Sequence, residues 1–117
     1  MRKVLCVCNG GNCRSVAMAE VLKGHFGKEA IAVGTYWFSR ESMETFADWA
    51  DAILVVEPFD AKLPEPDLTL WKASAVWDAR YNGKRRIIPM GSDIWGHSNW
   101  PGIKEFALAL LKEHLWV

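Results

Sequence analysis

The side chains best equipped for chemistry lie together near the start of the chain, in the run Cys8-Asn9-Gly10-Gly11-Asn12-Cys13-Arg14-Ser15. The pattern is a cysteine, five residues, then arginine and serine. A thiolate is a strong nucleophile, and it is favoured where it meets the unpartnered N–H groups and positive dipole of a helix N-terminus. Gly10 and Gly11 let the backbone curl so that successive N–H groups converge. That makes an oxyanion nest from Asn9, Gly10, Gly11, Asn12 and Cys13. Arg14 brings a planar fork of donors that can hold two phosphate oxygens at once. Ser15 can donate its hydroxyl to the cysteine sulfur and stabilise it as a leaving thiolate. A thiol nucleophile beside an oxyanion cradle implies covalent catalysis through a phosphocysteine. The other phosphate loops are missing: neither G-x-x-x-x-G-K-[ST] nor G-x-G-x-x-G occurs.

Such a loop needs a strand before it and a helix after it. Residues 3–8 are continuously apolar from Val4, the mark of a parallel strand buried on both faces. Residues 15–26 follow as a helix with Ala17, Met18, Val21, Leu22 and Phe26 on its buried stripe, and Gly27 as its C-cap. Further strands are expected at 31–33, 52–56 and 86–90. A helix over 40–49 is capped by Ser39, with Met43, Phe46 and Ala47 on one face. In the last helix Ser98 or Asn99 is the cap, Pro101 sits in the first turn, and Ile103, Phe106, Leu110 and Leu111 face inward. Residues 57–84 are the least legible, with prolines at 58, 64 and 66 and a short helix near 70–76. Alternating strands and helices predict a three-layer α/β fold, a central four-stranded parallel sheet with helices on both faces. Ligands in such sheets bind outside the carboxyl ends of the strands, where the run after Cys8 falls.

The chain has 117 residues, half of them hydrophobic and 24% charged, which suits a single globular domain over 1–117 rather than a disordered tail. The longest apolar runs are too short for a membrane span or a signal-peptide core. Net charge is zero but unevenly spread, +4 over residues 1–40, −7 over 41–67 and +3 over 68–117, so no polyanion-binding signature emerges and no nucleic-acid partner is expected. Lys84-Arg85-Arg86 reads as a solvated turn before a strand. The three cysteines all fall between residues 6 and 13, which excludes a long-loop disulfide framework and points to the reducing cytoplasm. Cys6 reads as core. Cys13 can either form a reversible disulfide with Cys8 or simply pack. Cys6, Cys8 and Cys13 lack the spacing of a zinc site. Asp48 and Asp51, beside a helix end, read as solvated or capping residues.

Several stretches together resemble one family. Val4 to Cys8 and Arg14-Ser15-Val16-Ala17-Met18-Ala19-Glu20 are similar to the N-terminal signature of the low-molecular-weight protein tyrosine phosphatases. Val33-Gly34-Thr35 resembles that family's turn after the second strand, and Trp49-Ala50-Asp51 leading into Val55-Val56-Glu57 resembles the stretch into its third. Ser92-Asp93-Ile94-Trp95 resembles the loop that holds its general acid. Gly11 stands where the family usually has Asn, and Ile94 where it usually has Pro. The resemblance implies a phosphotyrosine or small aryl phosphate substrate and no metal or other cofactor. It also implies Asp93 as the acid that protonates the leaving oxygen and then activates water.

Trp37 and Trp95 lie on expected turns at the carboxyl edge, where they can wall a slot for a phenyl ring or pack their own loops. Asp60, which also follows a strand, competes with Asp93. Two rival readings share the loop. A thiol-dependent arsenate reductase needs further cysteines late in the chain, and none follows Cys13. A phosphate-binding relic with impaired turnover is the other. The natural substrate and oligomeric state are not legible in the residues.

Overall fold

The computed structural model describes residues 2–8, 14–34, 38–57, 79–90 and 101–114. The expected elements at 70–76 and the caps Ser98 and Asn99 lie outside them. Four strands are present: β1 (Lys3–Cys8), β2 (Glu29–Gly34), β3 (Ala52–Glu57) and β4 (Arg85–Pro89). They form one sheet in the order β2-β1-β3-β4, every pairing parallel. Three helices accompany them among the described residues: α1 (Arg14–Phe26), α2 (Arg40–Trp49) and α3 (Ile103–Glu113). A 3-10 turn at Ala79–Tyr81 precedes β4.

β1 is the middle of this arrangement because its apolar run can bury both faces. Val4, Cys6 and Cys8 pack in one cluster with Ala17, Met18 and Leu22 of α1 and with Ile103, Ala107 and Leu111 of α3. Leu5 and Val7, pointing the other way by the two-residue strand period, pack with Met43 and Ala47 of α2 and with Tyr81. α1 ends at Gly27, whose φ of +64° is the left-handed conformation that glycine adopts without strain. The Lys28 N–H then donates to the Leu22 carbonyl at 3.0 Å. α2 starts where Ser39 Oγ accepts the Ser42 N–H at 3.1 Å.

Three expectations are corrected. β2 starts at Glu29, two residues before the β-branched stretch, because the Glu29 N–H donates to the Arg2 carbonyl at 2.9 Å and brings Glu29 into register with Lys3. β4 likewise runs over Arg85–Pro89, one residue earlier than expected. α3 has no side-chain cap; it begins after Gly102, at φ +89°, and Pro101 lies before the helix. Its buried stripe is Ile103, Ala107 and Leu111, a spacing of four that turns Phe106 round the helix to 42% exposure.

Two carboxylates tie elements together across long stretches of chain. Asp51 Oδ2 accepts the Arg2 and Lys3 N–H groups, each at 3.0 Å, and so joins the start of β1 to the start of β3. These two donors hold the Asp51 carboxyl below its ordinary range. Tyr81 Oη donates to Asp48 Oδ1 at 2.6 Å. The Tyr81 ring lies 4.7 Å from the Arg80 guanidinium carbon and 5.7 Å from Lys84 Nζ. Lys84 Nζ also donates to the Ala47 carbonyl at 3.1 Å, near the end of α2. No helix among the described residues is long and apolar enough to cross a membrane.

Candidate active site

Cys8 is the last residue of β1, and α1 opens six positions later at Arg14. The apolar strand stops at Cys8, and α1 packs against the same face of β1 that Cys8 shares. A nucleophile type and a hydroxyl meet at the carboxyl edge of the sheet. Cys8 Sγ and Ser15 Oγ lie 3.1 Å apart in a buried hydrogen bond. As a thiol Cys8 donates to the serine oxygen; as a thiolate it accepts the serine hydroxyl.

Arg14 is 1% exposed and Ser15 is fully buried, and among the described residues these are the two buried polar or charged side chains. Burying such groups is costly unless they are compensated, and arginine is seldom buried at all. Both are buried in the first turn of α1, and Ser15 lies against the thiol, which separates this corner from the purely apolar packing around it. Cys8 itself is 2% exposed and shares its cluster with Val56 and Met90, from the carboxyl ends of β3 and β4. Gly34, which closes β2, is its register partner on the other side.

Cys6 sits on the same face of β1, wholly buried. Burial pushes its thiol strongly upward; the charge of Cys8 adds to this and Lys23 opposes it. Cys6 therefore stays a neutral core thiol, as expected. Side chains two residues apart on a strand are roughly 6.6 Å apart, while a disulfide needs Cβ atoms about 3.8 Å apart. Cys6 cannot bridge to Cys8 while β1 stays extended.

Of the residues expected at the site, the structure brings Cys8 and Ser15 into contact, and it buries Arg14 in the first turn of α1. Asn9, Gly10, Gly11, Asn12, Cys13, Trp37, Asp93 and Trp95 lie outside the described residues, as does the rival acid Asp60. Among the described residues no three His, Cys, Asp or Glu side chains gather to hold a metal ion. A groove of about 200 Å³ between α1 and α3, lined by Glu20, Val21, His25, Lys104, Glu105 and Leu108, is separate from this corner. An ion pair of 2.7 Å between Glu20 and Lys104 spans it.

The arrangement can support nucleophilic attack by sulfur, with a hydroxyl in place to stabilise that sulfur when it leaves. The long-range ties of Asp48 and Asp51, which sequence reading took for solvated or capping carboxylates, stand at the opposite, amino edge and belong to the scaffold. Comparison of the chain with protein-family models, with curated proteins and with solved structures finds no match to any of them.

Proposed function

We propose that this chain is a phosphomonoesterase for aryl phosphates, phosphotyrosine above all, acting through a phosphocysteine on the three-layer fold of the low-molecular-weight protein tyrosine phosphatases. The observation that supports the reading is the buried 3.1 Å contact between Cys8 Sγ and Ser15 Oγ, with Arg14 also buried, at the head of α1. Cys8 thiolate attacks phosphorus in line, forming the S–P bond as the P–O bond to the aryl group breaks. Arg14 and the amides of residues 9–14 take up the charge on the equatorial oxygens. Asp93 gives its proton to the departing aryl oxygen. The same carboxylate then takes a proton from water, whose oxygen attacks phosphorus and breaks the S–P bond. Ser15 donates to the sulfur as it leaves. Charge is neutralised by protein donors throughout, so the scheme requires no metal.

The test is hydrolysis of phosphotyrosine against pH, with a chelator present, for wild type, Cys8→Ser, Arg14→Ala and Asp93→Asn. Turnover by wild type, none by Cys8→Ser, and a loss of about 10²–10⁴-fold in Asp93→Asn are expected, the size of a general-acid contribution. Vanadate binding without turnover above the Cys8→Ser background would instead mark an oxyanion-binding protein and overturn the enzyme reading.

A further inference from the structure

The turn before β4 carries chemistry of its own, independent of Cys8. Its sequence is Tyr81-Asn82-Gly83-Lys84, followed by Arg85. The Lys84 N–H donates to the Tyr81 carbonyl at 2.9 Å, so Asn82 and Gly83 are the central residues of a β-turn. Both are exposed. The Asn82 N–H donates to the Ala79 carbonyl at 3.1 Å, whereas no carbonyl among the described residues accepts the Gly83 N–H. A Cβ placed on Gly83 would meet nothing within 4 Å, so this peptide can rotate without a neighbour in its way. Asn82 Oδ1 accepts a hydrogen bond from the Arg85 guanidinium. A carboxamide carbon, an unshielded backbone nitrogen on the next residue and a cation on the amide oxygen thus fall together within residues 82–85.

We propose that Asn82 is a site of self-modification, at which the Gly83 nitrogen attacks Asn82 Cγ and the side chain loses ammonia. The new N–Cγ bond closes a cyclic imide as the bond from Cγ to the amide nitrogen breaks. The Gly83 proton leaves with the ammonia. Negative charge builds on Oδ1 during the attack, where the Arg85 guanidinium already donates. Water then opens the imide. Adding at Cγ, it leaves an aspartate in the ordinary backbone, which can pair with Arg85 where the amide did. Adding at the main-chain carbonyl of residue 82, it leaves an isoaspartate, with the chain rerouted through Cβ and Cγ. The rerouted form lengthens the backbone inside the turn. That turn holds the Lys84 carbonyl on the Ile53 N–H at 2.9 Å, and it holds Tyr81 in the core with its hydroxyl on Asp48. Isoaspartate therefore loosens the start of β4, and aspartate does not.

Warm incubation of the folded protein, then trypsin and mass spectrometry, tests this. Cleavage after Arg80 and Lys84 isolates the peptide of residues 81–84, while the other Asn-Gly pair, Asn9-Gly10, falls in a different peptide. A mixture of aspartate and isoaspartate forms of this peptide is expected. Asn82→Gln should yield neither, because its longer side chain closes the ring far more slowly. Arg85→Met should lower the rate about tenfold, the loss of one charge-assisted bond. In urea, where the turn no longer holds Arg85 on the amide, wild type and Arg85→Met should react alike. Circular dichroism checks that both variants fold. The isoaspartate fraction, separated by chromatography, should unfold at lower urea than the aspartate fraction. A peptide that stays unmodified in the folded protein but reacts in urea overturns the proposal. So does aspartate alone, the mark of direct hydrolysis, or a folded Arg85→Met that reacts as fast as wild type or faster. Equal unfolding midpoints for the two products would overturn the loosening of β4.

Discussion

Ser15 is the residue whose removal most directly probes the thiol. Replacing it by alanine leaves α1 intact, since alanine is the best helix former, and deletes the oxygen that bonds Cys8 Sγ. A hydrogen bond to a charged group is worth about 1.5–3 kcal/mol, so Ser15→Ala should slow breakdown of the phosphocysteine about 10–100-fold. Rapid-quench kinetics should show the intermediate accumulating, with the burst preserved and the steady rate reduced. An equal fall in burst and steady rate would assign Ser15 to formation of the intermediate instead. The contact of Ser15 with Cys8 was legible because the types, order and spacing of the two residues imply it. Asp48 and Asp51 were not, because what gives each its role is a partner 33 or 48–49 positions away. Local spacing holds no record of such a partner.

At the scale of elements, those two carboxylates make the scaffold sensitive to pH at both extremes. Asp51 is held below its ordinary range by the Arg2 and Lys3 amides. Its contribution is therefore present above the unfolded value of about 3.9 and is lost as pH falls through the lower folded value. Asp51→Asn should flatten the acid limb of the stability curve below about pH 4, measured by urea unfolding. Tyr81 behaves oppositely: burial first, then its bond to Asp48, push its hydroxyl up to about 12. Its contribution is complete below the unfolded value of about 10 and is lost as pH rises toward the folded one. Tyr81→Phe should remove stability at neutral pH and abolish the alkaline loss between about pH 10 and 12. Elements with strong periodicity were the legible ones. β1 and α2 run where the apolar pattern and the Ser39 cap put them. The start of β2 was hidden because pairing with β1 recruits Glu29 and Ala30, which have little strand preference of their own. The start of α3 was hidden because its cap is a left-handed glycine rather than an oxygen-bearing side chain.

For the molecule as a whole, the sheet is a single slab whose central strands are covered on both sides, so their side chains should dominate stability. Leu54 is fully buried in β3 among residues of α1 and α3. Leu54→Ala should cost about 2–5 kcal/mol, a large part of the about 5–15 kcal/mol typical of a domain. Chemical denaturation with an unchanged slope would show it. The strand order has a further consequence in time. β1 is made before both of its neighbours, β2 and β3. On the ribosome, the stretch from Cys8 to Ala52 takes roughly 2–9 s to make at about 5–20 residues per second. For those seconds the nascent chain holds out an apolar strand ending in the Cys8 thiol, with one flank still unmade. The protein's vulnerable moment is thus its own birth, when chaperones and cellular thiols meet Cys8 before Val56 of β3 packs beside it.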